Sequence, residues 1–345
     1  MDETEERREP PGRISPRRAF TEIGAVYFIA FGLGVVSAIG LLTDPSLGAD
    51  QQIHTWLEAA SHMMQYIMQA SAVILGVGYF SLRRGLTLRT IFGRFTRPAP
   101  QVVYYPQPQY QAQNQPLPDQ GPYPYPYPYP YPYPYPYPAP AYPPQPGYYP
   151  ARPAQRGLSW QFSRAFFLST AGTLAFLVTV VVYIRVSGDD TGAPNQGHSL
   201  WLIPVGLVVA LAAGFGEEVL ITGMVVTTLE QAGFGKRAWV IYLAAIALRI
   251  PFHLYYGWAS FAVVFFTVGN VWVYRRWRVL WPIVLAHALY DAIQFAGALQ
   301  PALAGLALLG LGLTTFVMVI VIACIELSDR SARRRFNQWR AAVGV

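Results

Sequence analysis

Apolar stretches of about 20 residues, most of them closed by a cluster of arginines, recur along this chain and leave it few ways to fold. Lipid admits only structures that satisfy their backbone hydrogen bonds internally, so such stretches must cross as helices. The pattern predicts an all-α polytopic membrane protein of about eight transmembrane helices, at residues 21–42, 62–82, 163–184, 200–229, 238–256, 259–274, 280–299 and 302–327. Composition agrees. The chain is 53% hydrophobic and 12% charged, where a soluble domain carries about 25% charged residues.

The charges fix an orientation. Arg7, Arg8, Arg13, Arg17 and Arg18 precede the first span, and Arg83, Arg84, Arg89 and Arg94 follow the second. Lys236 and Arg237 follow the fourth, Arg275, Arg276 and Arg278 the sixth, and Arg330, Arg333, Arg334 and Arg335 the eighth. The alternate loops hold Asp44, Asp50, Glu58, Asp189 and Asp190. By the positive-inside rule this is a multi-pass protein of the cell membrane with both termini cytoplasmic. The net charge of +7 is spent at span ends, so no nucleic-acid partner is implied. Cys324 is the single cysteine, which rules out an intrachain disulfide. The charged, Pro-containing residues 1–20 read as a disordered cytoplasmic tail. The first apolar run is longer than a signal-peptide core and lacks a convincing cleavage site, so it reads as a retained span.

Between the second and third spans, residues 98–157 form a linker whose centre alternates Pro and Tyr from Pro122 to Pro138. Proline at every second position forbids a regular helix and removes sheet donors, leaving polyproline II as the accessible conformation. Such a segment serves as a stiff disordered spacer, or as a strip for a proline-recognising partner. The organisation is then a two-span amino-terminal hairpin (21–97), the linker, a six-span unit (158–328) and a basic cytoplasmic tail (329–345).

Within the six-span unit, polar residues gather where lipid makes them expensive. Glu217 and Glu218 stand side by side in the fourth span. Arg249 and His253 lie on the fifth, and His287 and Asp291 on the seventh. Neighbouring helical residues point about 100° apart, so one glutamate can face a reacting water while the other holds a neighbour. His287 and Asp291, four residues apart, share a helix face. Arg249 needs a counter-charge, and a glutamate of the pair can supply it. Each element also has a plainer reading. The pair can serve as an interhelical hydrogen-bonding device, and His253 lies beside Tyr255, Tyr256 and Trp258 as part of an interfacial aromatic belt. Counting ~1.5 Å per residue, His253 sits on the order of 10 Å nearer the outer face than Glu217, Glu218 and His287. Tilt, or unwinding at Pro251, would close that gap.

A glutamate pair, a histidine on the next span and His-x-x-x-Asn/Asp on a later one together resemble the CPBP family. These are the CAAX-prenyl-protease and bacteriocin-processing intramembrane endopeptidases, also called Abi proteins. The resemblance covers roughly residues 200–295. Thr222 stands where the family's Glu-Glu-x-x-x-Arg motif has arginine, and Arg249 where its Phe-x-x-x-His motif has phenylalanine. The arginine missing from one span thus reappears on the next. The resemblance implies an intramembrane endopeptidase acting on a membrane-associated protein or peptide. Glu217, Glu218, His253, His287 and Asp291 would be catalytic, with Arg249 and Thr222 supporting. A glutamate and His253 would activate water, and His287 and Asp291 would steady the oxyanion. The mechanism can be metal-free, or a divalent metal such as zinc can sit at Glu218, His253, His287 and Asp291. Two other classes stay open: a catalytically inactive scaffold that uses the Tyr-Pro strip, and a proton-coupled transporter.

Overall fold

Backbone amides that meet no water must pair within the chain, and the described residues do so as helices. The computed structural model describes residues 14–44, 56–84, 91–93, 157–187 and 202–343. The Tyr-Pro strip, Asp189 and Asp190 lie outside the described residues. Eight helices follow in order: α1 (Pro16–Thr43), α2 (Trp56–Arg83), α3 (Leu158–Ser187), α4 (Ile203–Gln231), α5 (Ala238–Arg249), α6 (Pro251–Trp277), α7 (Trp281–Leu299) and α8 (Pro301–Val343). Among the described residues there is no strand.

Six of them, α1, α2, α3, α4, α6 and α8, are long and apolar enough to cross a membrane. Of the other two, α5 has 12 residues and α7 is interrupted by His287, Asp291 and Gln294. The lipid-facing character is plain on the outer helices, where Phe28 and Leu33 of α1 and Leu309 and Phe316 of α8 are exposed. The chain is an all-α multi-pass membrane protein.

The ends are set by local chemistry. Ser15 caps α1 by accepting from the Arg18 backbone N–H at 3.3 Å, with Pro16 in the first turn. Gly233, at φ 90°, stops the chain just after α4 in a left-handed turn. Two helices are irregular. In α4 the α-helix gives way to a wide π-turn over Glu218–Met224 before resuming at Val225. The first half of α6, Pro251–Ala262, is a tight 3₁₀ segment with non-helical Gly257 inside it.

That second irregularity corrects the expected boundary between the fifth and sixth spans. α5 ends at Arg249 rather than near Tyr256, because Pro251 has no N–H for a continuing α-helix. His253 therefore belongs to the 3₁₀ segment that starts the next helix.

Two compact units divide the chain: 1–96 with 155–328, and 97–154 with 329–345. In the second, the described residues 329–343 are helical, where the sequence suggests only a tail. In the first, α4 packs on α7 and α2, α3 packs on α6 and α7, and α1 packs on the 3₁₀ segment of α6. Small residues allow the closest approaches. A Cβ on Gly214 would lie 2.9 Å from the Ala288 nitrogen and 3.0 Å from the Val284 oxygen, so α4 and α7 meet backbone to backbone there. Between α3 and α6, Gly172 faces Gly269, and the Ser169 hydroxyl donates to Asn270 Oδ1 at 2.6 Å. α1 and α2 belong to the same packed unit as the helices that carry the acidic pair.

Candidate active site

The π-turn of α4 begins at Glu218, one residue after Glu217 ends the regular helix. Such wide turns often mark functional positions, since they re-aim side chains within a continuous helix. Here they send the two carboxylates to different tasks. Glu218 is fully buried. Its Oε1 accepts from Arg249 Nη2 at 2.6 Å and contacts His287 Nδ1 at 2.9 Å, while its Oε2 accepts from the Thr222 hydroxyl at 2.5 Å. Glu217 lines a cavity of about 240 Å³ together with His253, His287 and Asp291. Its Oε2 lies 3.9 Å from both Arg249 Nε and His287 Nε2 and has no hydrogen-bond partner among the described residues.

Arg249 is the largest fully buried side chain of the described residues. A buried guanidinium is tolerable only with a paired charge, and Glu218 supplies it. The Phe266 ring lies 4.5 Å from its Cζ, and the same ring meets His287 edge-on at 4.8 Å. The arginine missing from position 222 is thus restored in space from the neighbouring helix. Thr222 takes the second oxygen of the carboxylate that Arg249 holds.

His253 reaches the cavity because the chain tightens at Pro251. Its Nδ1 lies 3.0 Å from the Arg249 carbonyl, which can only accept, so Nδ1 carries the hydrogen and Nε2 is left as an acceptor. The ring is clamped by Phe252 at 4.6 Å, and Phe252 stacks on Phe31 of α1 at 4.7 Å. His253 is 8% exposed, a buried cavity wall rather than part of an exposed belt; its neighbour Trp258, at 72%, has the belt character. His287 faces carboxylates from both ring nitrogens, Glu218 through Nδ1 and, at 3.5 Å, Asp291 through Nε2.

The structure thus brings Glu217, His253, His287 and Asp291 to one cavity, with Glu218, Arg249 and Thr222 braced behind it. It also adds residues that no motif announced. Tyr66 of α2, Thr173 of α3, and Tyr290 and Gln294 of α7 line the same space. Tyr290 and Gln294 follow His287 at roughly helical spacing on α7. Tyr66 comes from the hairpin, and no signal in the sequence ties it to the site.

Glu218, His253, His287 and Asp291 do not fit together as a metal site in this arrangement. Both oxygens of Glu218 are already engaged, by Arg249, His287 and Thr222. Among the described residues no group of three or more His, Cys, Asp or Glu side chains is arranged to hold a metal ion.

Residues 199–293, which carry all seven of these motif side chains, match the family model of the type II CAAX prenyl endopeptidases, Rce1-like. No curated protein and no solved structure matches the chain. Residues 199–293, which supply most of this cavity's lining, are thus similar to an Rce1-like type II CAAX prenyl endopeptidase domain, the family that their glutamate and histidine motifs resemble.

Proposed function

We propose that this protein is an intramembrane endopeptidase that hydrolyses a peptide bond of a membrane-associated protein or peptide, with Glu217 as general base. One observation supports the reading: Glu217, whose Oε2 has no hydrogen-bond partner among the described residues, and the imidazoles of His253 and His287 line a single cavity inside a membrane protein. Glu217 takes a proton from a water whose other hydrogen is held by Nε2 of His253. The hydroxide adds to the carbonyl carbon of the peptide bond. A His287 ring flanked by carboxylates on both sides is suited to carry hydrogens on both nitrogens, and then presents Nε2–H to the tetrahedral oxyanion. The C–N bond breaks as Glu217 passes its proton to the departing amine. Glu218 and Asp291 position His287, and Arg249 and Thr222 position Glu218. No step is routed through a metal.

Positive charge at alternate span ends supports a cell-membrane location with the arginine-rich end, and with it both termini, on the cytoplasmic side. Lipid covers the exposed apolar faces of α1 and α8, and the Tyr-Pro repeat has the composition that a proline-recognising partner would take. The scaffold alternative draws on the missing motif arginine, and the pairing of Arg249 with Glu218 takes away that motive.

The test is Glu217→Gln. Mass-spectrometric mapping of protein amino termini in membranes from cells expressing each form should lose, with this variant, the cleavages the natural protein makes. A general base contributes about 10²–10⁴-fold, so a variant that cuts at the natural rate would end the proposal.

A further inference from the structure

A three-residue segment outside the family-matched region is packed against the helices that carry the site. Ile91, Phe92 and Gly93 follow α2, and connecting segments of this kind ordinarily lie free at the surface. Here Ile91 is 1% exposed. Two successive carbonyls are bonded by groups from elsewhere in the chain. Ile91 accepts from the Tyr274 hydroxyl of α6 at 2.6 Å, and Phe92 accepts a longer bond, 3.4 Å, from the Leu280 N–H just before α7. Gly93 is left-handed, at φ 89°, and a Cβ there would lie 1.9 Å from the Arg278 carbonyl oxygen, so only glycine fits. Arg278 is itself the one non-glycine residue with positive φ among the described residues, and its guanidinium is paired with Glu230. Both sides of the contact are shaped for it.

We infer that Ile91, Phe92 and Gly93 are positioning residues of the proposed reaction, a peg that fixes the π-turn of α4 and its distance from α7, and so the aim of Glu217 and Glu218. This deepens the proteolytic reading and rests on it. The peg meets α4 on both sides of the acidic pair. Before the pair, the Phe92 ring lies 5.8 Å from Phe215 of α4 and 5.3 Å from Trp281 of α7, and those two rings are 5.5 Å apart. One aromatic cluster therefore spans the two helices whose approach sets the 2.9 Å contact of Glu218 with His287. After the pair, Ile91 rests on Gly223 inside the π-turn, where a Cβ would come 2.8 Å from Ile91 Cγ2. A π-turn is a rare departure from the α-helix. Packing at Gly223 holds it against relaxing to a regular helix, which would re-aim both carboxylates. None of the three residues lines the cavity, so they act through α4 and α7 and not on the substrate. Misplacing a reacting group by about 1 Å can cost about 10²-fold in rate, so loss of the peg belongs in kcat and not in KM.

The test uses the full chain. Docking of the peg is read without activity, by maleimide labelling of Ile91→Cys in a Cys324→Ser background. The buried thiol should react slowly, and Gly93→Ala added to it should speed labelling about tenfold or more by forcing the segment out. Equal rates with and without Gly93→Ala would overturn the inference. Positioning is read on a purified substrate taken from the cleavages lost on Glu217→Gln. Phe92→Ala should lower kcat about tenfold or more with KM unchanged, at temperatures where the variant stays folded. Phe92→Leu, which keeps most of the apolar volume, should lose less, and it carries the test where the alanine variant does not fold. Ser169→Ala gives the comparison, because it removes a buried hydrogen bond between α3 and α6 to which neither α4 nor α7 contributes. It should melt at lower temperature and keep its kcat. A natural kcat in both Phe92 variants, or an equal loss in Ser169→Ala, would overturn the positioning role while leaving the protease standing. If Glu217→Gln removes no terminus at all, proteolysis itself fails and the positioning role falls with it.

Discussion

Adjacent acids in one helix have separated into a held carboxylate and a less engaged one, and the difference lies in their partners. Glu218 spends both oxygens on Arg249, Thr222 and His287. Glu217 lines the cavity, and its Oε2 has no hydrogen-bond partner among the described residues. The two should respond differently to loss of Arg249. Removing one member of a buried ion pair costs about 3–5 kcal/mol because the other charge is left bare. Arg249→Phe, which restores the family's phenylalanine, should therefore unfold at clearly lower temperature and lose cleavage. Adding Thr222→Arg should return part of both, since the guanidinium then comes from α4 itself. A double-mutant cycle on thermal stability measures the coupling; strict additivity would show that the two positions do not exchange roles. The sequence carries this much of the site, because an arginine and an acid pair embedded in apolar spans have almost no stable option but each other. It could not tell which glutamate Arg249 would choose, since that follows from the π-turn, and no residue pattern in 218–224 announces a π-turn.

At the scale of elements, the site is set by how close α4 and α7 can come and by where α5 stops. Gly214 has no room for a methyl group, its would-be Cβ being 2.9 Å from a backbone nitrogen of α7. Overpacking of this kind costs about 1–3 kcal/mol, and relief by moving the helices apart would stretch the 2.9 Å contact between Glu218 and His287. Gly214→Ala should thus lower both melting temperature and cleavage rate, whereas Gly34→Ala on α1, where nothing lies within 4 Å, should leave both unchanged. Equal behaviour of the two variants would remove the close α4–α7 approach from the account. The existence and order of the helices were legible from apolar runs and arginine clusters. Pro251 marks the place where the fifth span can break, but the pattern of apolar residues continues through it and predicts a span reaching Tyr256. Only the tertiary setting, with Phe252 held on Phe31 of α1, makes the 3₁₀ path specific and lowers His253 into the cavity.

For the molecule as a whole, the ion-paired clasp and the cavity are sited at opposite depths. The cavity occupies the arginine-poor half, while Arg84 ties α1, α2 and α4 together at the other end through Glu22, Thr228 and Gln231. Sequence alone assigns Arg84 to topology, as one of the charges that orient the second span; that its side chain is nearly inaccessible and bonded to Glu22, Thr228 and Gln231, as well as to the Phe80 carbonyl of its own helix, follows from packing. Glu22 gave no signal either, a single acid near the start of a span being easily solvated at an interface. Their burial allows the two halves to be tested apart. Arg84→Met leaves Glu22 with the more exposed Arg18 alone, so the loss should fall near the lower end of the ~3–5 kcal/mol expected for a broken buried pair. The detergent-solubilised variant should melt at lower temperature, and Glu22→Gln added to it should recover part of the loss by removing the stranded charge. Below its melting temperature Arg84→Met should cleave at the natural rate, because no atom of the clasp touches the cavity. A rate that falls with an unchanged melting temperature would show instead that the clasp sets the geometry of Glu217, and the division of the bundle into a stabilising end and a reacting end would have to be given up.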